Sequence, residues 1–363
     1  MSDTASATTD VLFEVKGGIG VITLNRPQAL NALNLPMIQA MDRQLVNWMT
    51  DDSIKAVLVR GAGDRAFCSG GDVKAVALEV KEGGNGTLGR DFFHDEYTLN
   101  HRIFTYPKPY IALINGIVMG GGKGISAHGS HRVVTENTLF AMPETNIGFF
   151  PDVGGGYFLP RCPGQTGEYL ALTSKRIKAI DTVYIGFATH FVPAASIDAL
   201  MESFTAIRWD DREKPAAQIT KVLDQHCAPP PGESEIAPNR ESIDRHFGHA
   251  KMEDIAASLE KDNSPFAADT RTAMYGMSPT SLKVALRQIR LGGQMSFADV
   301  MTMEYRLSQR MIRQHDFYEG IRAALIDKDR APKWQPARIA DVADDAVEAI
   351  FAPLGADDLI FTA

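Results

Sequence analysis

Short apolar runs bounded by glycine and proline dominate the first half of the chain, and apolar residues at three- and four-residue spacing dominate the second. Val11-Leu12-Phe13-Glu14-Val15 and Ile19-Gly20-Val21-Ile22-Thr23-Leu24 predict two strands, with Gly17-Gly18 as their hairpin turn. Pro27 to Asn34 reads as a turn-rich loop. Met37, Met41, Leu45 and Trp48 then recur at helical spacing within Leu35 to Met49, and Pro36 suits a first helical turn. Ala56-Val57-Leu58-Val59, Tyr110-Ile111-Ala112-Leu113-Ile114 and Arg132-Val133-Val134 predict further strands, and Phe92 to Thr105 a helix. The Gly-rich, polar stretch from Glu79 to Arg90 predicts a mobile segment. Gly116 to Gly124 predicts a glycine-rich turn leading into a helix that reaches His128.

Strands alternating with helices at this pace imply βα units and a mainly parallel sheet. Near residue 205 the texture changes: segments rich in Glu, Lys, Arg and Ala alternate with breaks at Pro229 to Pro238 and at Ser278-Pro279. Ser281 to Arg290 and Val300 to His315 predict helices. The expected organisation is a disordered tail over 1–10, an α/β core over 11–205 and a helical region over 206–363.

The chain has 363 residues, 44% hydrophobic and 23% charged, enough to bury a substantial core without disulfides or metals. A formal net charge of −8 argues against nucleic acid or an anionic membrane as a partner. Cys68, Cys162 and Cys227 are odd in number and widely spaced, which fits neither a disulfide framework nor a zinc site, so a reducing compartment is expected. Met1 to Asp10 has neither an apolar signal core nor an Arg-rich, acid-poor composition, and the expected location is the cytoplasm.

Two glycine-rich turns are candidates for chemistry. Phe67-Cys68-Ser69-Gly70-Gly71-Asp72 follows a strand and opens a helix with Asp72 as its expected N-cap. Met119-Gly120-Gly121-Gly122-Lys123-Gly124 lies between a strand and a helix. Two such turns with bare N–H groups suit an oxyanion hole, where losing one donor costs roughly 2.7–4 kcal/mol. The second turn also fits a dinucleotide fingerprint, but at least four strands precede it, whereas that motif ordinarily follows the first. In Phe140 to Gly156, Glu144 and Asp152 stand eight residues apart among Phe, Ile and Gly, after Pro143 and Pro151. Apolar walls raise a carboxyl pKa and suit it to proton transfer, while a simpler reading makes both acids helix caps. Cys68 reads as packing rather than a nucleophile. His94 with His101 and His128 with His131 lack further ligands at metal spacing, and Gly-x-Ser-x-Gly is absent. Lys283, Arg287 and Arg290 form a helical stripe that reads as a solvated face rather than a phosphate site.

Leu24-Asn25-Arg26-Pro27, Asn31-Ala32-Leu33-Asn34, Phe67 to Asp72 and Asn115-Gly116 to Gly121-Gly122, in this order, resemble the crotonase (enoyl-CoA hydratase/isomerase) superfamily. Glu96-Tyr97-x-Leu99-Asn100, Lys108 to Ile114, Phe140 to Pro160, Ser278 to Leu282, Glu319 to Lys328 and Pro332-x-Trp334 resemble its 3-hydroxyisobutyryl-CoA hydrolase subgroup across nearly the whole chain. The resemblance implies a crotonase-like ββα spiral core with a helical C-terminal portion. It further implies an acyl-CoA thioester whose carbonyl oxygen meets the Gly71 and Gly121 N–H groups, and Glu144 as the catalytic acid/base. Asp152 and Glu96 are implied as substrate contacts, Asp152 also as a catalytic residue, and Cys68 is counted among the substrate-binding residues. No metal or cofactor is implied beyond the coenzyme A of the substrate, and a homo-oligomer is compatible with the resemblance. Hydratases of the superfamily resemble one another in a second Glu three residues past the oxyanion glycine; Gly124 stands there. The expected activity is therefore hydrolysis of a short 3-hydroxyacyl-CoA, with hydration or isomerisation of an enoyl-CoA as the alternative.

Overall fold

The computed structural model describes residues 8–361 apart from Asn85. Most of the expected tail therefore lies outside the described residues. Its end is tied down: Asn25 donates from its backbone N–H to the Asp10 carbonyl at 2.7 Å, and the Asn34 amide donates to the Asp10 carboxylate at 2.8 Å.

The chain divides into two compact units, and each is built from separate stretches of sequence. One comprises the chain up to Gly71 with Thr98–Phe140 and Ile177–Ser234; the other comprises Asp72–Tyr97, Ala141–Arg176 and the chain from Glu235 onward. This grouping is discontinuous in sequence, whereas the expected organisation drew one linear boundary at residue 205. A sequence texture records local composition, whereas compactness depends on which segments return to pack together.

The first unit holds the strands. β1 (Val11–Lys16) and β2 (Ile19–Leu24) form the expected hairpin, pairing Val15 with Gly20 across Gly17 and Gly18, both at positive φ. β3 (Ala56–Gly61) adds parallel to β2, and β4 (Ala66–Cys68) belongs to a second sheet. β5 (Tyr110–Ile114) pairs parallel with β3, while β6 (Ile117–Met119) pairs parallel with β4. β7 (His131–Val134) continues from β5, β8 (Leu139–Ala141) pairs antiparallel with β9 (Ile177–Lys178), and β10 (His190–Phe191) closes the first sheet beside β7. The orders are β1-β2-β3-β5-β7-β10 and β4-β6-β8-β9, the first sheet parallel beyond its hairpin.

Alternation decides which side chains meet. Ile19, Val21, Ala56, Leu58, Ile111, Leu113 and Val133 share one face and pack on Leu200, Phe204, Ile219 and Leu223 from the helices Ile197–Thr205 and Pro215–Asp224. Residues of the other face, such as Ile22, Val57, Val59 and Ala112, are equally buried, as a parallel sheet requires. The helix Leu35–Thr50 starts where expected, its Asn34 side chain accepting the Met37 N–H at 2.9 Å.

The second unit is helical. The helix Val73–Lys81 runs into the stretch expected to be mobile, and the next helix, Thr87–Phe104, begins five residues before the expected start. In the first unit, the helix expected to reach His128 is a single turn, Gly121–Gly124, whose three glycines disfavour propagation. Toward the C-terminus, Pro279–Gly292 and Phe297–Met311 carry the buried faces that the spacing predicts.

Leu58 lies fully buried on the central strand, whereas Leu12 on edge strand β1 is 47% exposed. Leu58→Ala is expected to cost about 2–5 kcal/mol of unfolding free energy, and Leu12→Ala about 0.5 kcal/mol or less, read by denaturant melts.

Candidate active site

In the first unit the loop after β2 supports the Cys68–Gly71 turn. Asn31, buried and at positive φ, donates its amide to the Ala62 and Ala66 carbonyls at 3.0 and 2.9 Å. Leu33 N–H then donates to the Gly70 carbonyl and Ser69 N–H to the Leu30 carbonyl, at 2.9 and 3.0 Å. The parallel pairing of β4 with β6 brings the second glycine turn alongside. Gly122 has to be glycine: a Cβ there would sit 2.3 Å from the Cys68 carbonyl oxygen. Gly70 faces the same strand end, its Cβ position 3.9 Å from the Gly121 nitrogen. Gly121 begins its helical turn, so its N–H has no acceptor within the helix. Cys68, Gly71 and Gly121 are thus gathered in one small region. The Cys68 thiol is buried and lies 3.6 Å from the Gly70 carbonyl oxygen, to which it donates, which makes it part of the packing of the turn.

The second unit gathers the acids. Glu96, Glu144 and Asp152 are all buried, exposing 1, 5 and 5% of their surfaces. Glu96 comes from the helix Thr87–Phe104, Glu144 opens a 3-10 turn after Pro143, and Asp152 follows Pro151. Neither Glu144 nor Asp152 caps a helix with its side chain. The Tyr97 hydroxyl instead donates to Asp152 Oδ2 at 2.8 Å. Phe93, Phe149 and Phe317 stack nearby, with ring centroids 5.3 and 5.4 Å from Phe149. Removal from water, and then the nearby Asp152 and Glu144 charges, push the Glu96 carboxyl well above its usual range. Burial, and then the nearby Asp152, Glu304 and Glu96, push the Tyr97 phenol up as well. Glu96 Oε1 has no hydrogen-bond partner among the described residues, so a buried acceptor or acid proton stands ready for a ligand.

The C-terminal helices hold this acid cluster from behind. Ser278 N–H donates to the Thr145 carbonyl at 3.1 Å, and Ser278 Oγ donates to Asp316 at 2.6 Å. Gly148, at φ +70°, lets the helix His315–Ile321 approach so closely that a Cβ would lie 2.0 Å from the Asp316 carbonyl oxygen. Sequence reasoning missed two side chains here. Tyr97 was visible only as part of a motif. Glu304 shares the helical stripe of Phe297, Val300, Met301 and Met311, and a charge on an apolar stripe was the available signal.

Other candidates resolve as structural. Lys283 pairs with Glu253 and Asp344 at 2.7 and 3.1 Å, Arg287 pairs with Glu348, and Arg290 donates to the Ala250 carbonyl at 2.6 Å. These bonds tie the helix Pro279–Gly292 to its neighbours, so the stripe is not simply solvated. Asp72 stands at the N-cap position of the helix Val73–Lys81, without a side-chain cap bond. His131 lies between Ser130 and Thr220, at 2.8 and 3.0 Å. Among the described residues no group of His, Cys, Asp and Glu is arranged to hold a metal ion, and no helix is long and apolar enough to cross a membrane.

A family model described as enoyl-CoA hydratase/isomerase matches residues 19–351. The chain is 48% identical to the mitochondrial 3-hydroxyisobutyryl-CoA hydrolase of Gallus gallus, over 97% of its own length and 91% of the relative's. Among solved structures, a carnitinyl-CoA dehydratase from Mycobacterium thermoresistibile superposes with a TM-score of 0.90 at 41% identity, covering 98% of this chain and 99% of the other. An enoyl-CoA hydratase from Rhodobacter sphaeroides 2.4.1 gives 0.87 at 37% identity, covering 97% and 100%. The crotonase fold expected from the motifs is therefore the observed one. The expected cytoplasmic location is corrected: the Gallus gallus relative and its Homo sapiens counterpart, 44% identical, are both named mitochondrial. That expectation rested on the composition of the first ten residues and on the three widely spaced cysteines.

A carboxyl whose pKa is raised by folding binds its proton more tightly in the native state than in the unfolded one. Its contribution is therefore most favourable below the ordinary glutamate value of 4.5 and is lost as pH rises through the folded value. Glu96→Gln removes that loss. The variant is expected to gain thermal stability over the wild type as pH rises from about 4.5, in melts scanned across pH; a difference that shrinks with rising pH would contradict it.

Proposed function

The chain belongs to the enoyl-CoA hydratase/isomerase family, and on that premise we propose that it hydrolyses 3-hydroxyisobutyryl-CoA to 3-hydroxyisobutyrate and free coenzyme A, a step of valine breakdown. The observation that carries the reading is the buried group of Glu96, Glu144 and Asp152 in a chain with glycine at position 124. Hydration of a double bond calls for a proton delivered to one carbon and a water activated at the other, and Gly124 supplies neither. Thioester hydrolysis needs one base and a stabilised oxyanion. The names of the full-length curated relatives support the same choice.

In this mechanism the Gly71 and Gly121 N–H groups receive the thioester oxygen as it becomes negative. Glu144 takes a proton from water while the water oxygen bonds to the carbonyl carbon. Collapse of the oxyanion then breaks the C–S bond, and the departing thiolate takes the proton back. In an alternative course Glu144 attacks the carbonyl itself and expels the CoA thiolate, which leaves as the thiol after taking a proton from water, and water opens the resulting anhydride to the free acid and Glu144. Asp152, oriented by Tyr97, and Glu96, whose carboxyl burial pushes well above its usual range, contact the substrate hydroxyl and the nucleophilic water. The reaction needs no cofactor beyond the coenzyme A of the substrate.

The two solved relatives named as a hydratase and a dehydratase favour a second reading, in which Glu96 or Asp152 replaces the missing second Glu of an enoyl-CoA hydratase. Parallel assays separate the two. Hydrolysis predicts thiol release from 3-hydroxyisobutyryl-CoA and no loss of enoyl absorbance from crotonyl-CoA; the reverse pattern would reject it. Glu144→Gln is expected to lower thiol release roughly a hundred- to ten-thousand-fold while acyl-CoA still protects the variant from thermal unfolding. Near-normal turnover would remove Glu144 from its role.

A further inference from the structure

Glu304 has no part in the mechanism above, yet its carboxylate is completely buried. It projects from the helix Phe297–Met311 toward the chain that follows Asp152. Its Oε2 accepts the Gly154 N–H at 2.7 Å and its Oε1 accepts the Gly156 N–H at 2.8 Å. Gln288, from the helix Pro279–Gly292, donates Nε2 to the same Oε1 at 2.9 Å and to the Pro151 carbonyl at 2.7 Å. Two helices therefore grip the backbone on both sides of Asp152.

The gripped segment is strained. Val153, a β-branched residue, stands at φ +51° and Gly154 at +79°, two successive left-handed conformations. Such a turn persists only where its surroundings over-determine it. A carboxylate is the side chain that offers two acceptor oxygens to two amides at once, and three donors offset the burial of its charge. Amide or hydroxyl replacements satisfy one glycine N–H and leave the other facing a donor or nothing.

We propose that Glu304, locked by Gln288, is a positioning residue that fixes the backbone of the Pro151–Gly156 turn and so sets where the Asp152 carboxylate stands. Tyr97 fixes the side chain of Asp152; Glu304 fixes its main chain. This inference rests on the reading of Asp152 as a group that contacts substrate.

The test pairs one measurement without substrate and one with it. Hydrogen exchange of the peptide spanning Pro151 to Tyr157 is expected to speed up in Glu304→Gln while the β2, β3 and β5 peptides stay protected. In thiol release from 3-hydroxyisobutyryl-CoA, Glu304→Gln is expected to lower kcat about ten- to a hundredfold with a smaller change in KM. Combined with Asp152→Asn, the further loss from Glu304→Gln should nearly vanish. A helix tie that matters only for stability would instead give the same loss in both backgrounds, and that result overturns the proposal. So does unchanged exchange. If Glu304→Gln does not fold, Gln288→Met keeps the carboxylate, removes the lock and makes the same test. A wild type that releases no thiol would reject the hydrolase reading, and the exchange measurement would still decide whether the clamp exists.

Discussion

Carboxylates removed from water are the constraint around which the second unit is organised. Each buried charge is expensive unless hydrogen bonds or a retained proton offset it. Three outcomes of that cost are visible within a few residues of one another in the fold. Glu304 accepts from three donors, Asp152 takes a hydrogen bond from Tyr97, and Glu96 has an oxygen with no partner among the described residues and a carboxyl pushed well above its usual range. Environment, rather than residue type, gives these acids different chemistry.

The C-terminal helices follow from that constraint. They supply Glu304, Gln288, Ser278 and Asp316, and they lie against the turn that carries Glu144. Arg322 holds Glu319, Asp327 and Asp329, while the Lys333 and Gln335 N–H groups donate back to Glu319 and Asp316. The stretches Ser278 to Leu282, Glu319 to Lys328 and Pro332-x-Trp334 are thus connected supports for one region. A region that looks like a helical appendage in sequence is part of how the acids are held.

How much of this was legible depends on the range of each interaction. The β1–β2 hairpin, the helix Leu35–Thr50 and the strands around Leu58 and Ile111 rest on local alternation, spacing and glycine, and they stand where the pattern puts them. The helix Val73–Lys81 begins where Asp72 was expected to start one, but the glycines after it hid how far it runs, and the expected helix to His128 came from reading a glycine-rich turn as a helix start. The grouping of Glu96, Glu144 and Asp152 was expected from family resemblance alone, since no local pattern joins residues 96 and 152. Glu304 was passed over because its partners lie some 150 residues earlier, at Gly154 and Gly156.

The central claim is that burial pushes the Glu96 carboxyl well above its usual range beside two further buried acids, Glu144 and Asp152. Infrared difference spectra of the folded wild type against Glu96→Gln, at a pH about one unit above the ordinary glutamate value of 4.5, address it without substrate or turnover. The account predicts a protonated-carboxyl stretch in the wild type that is absent from the variant. A difference spectrum showing only an ionised carboxylate lost would contradict it.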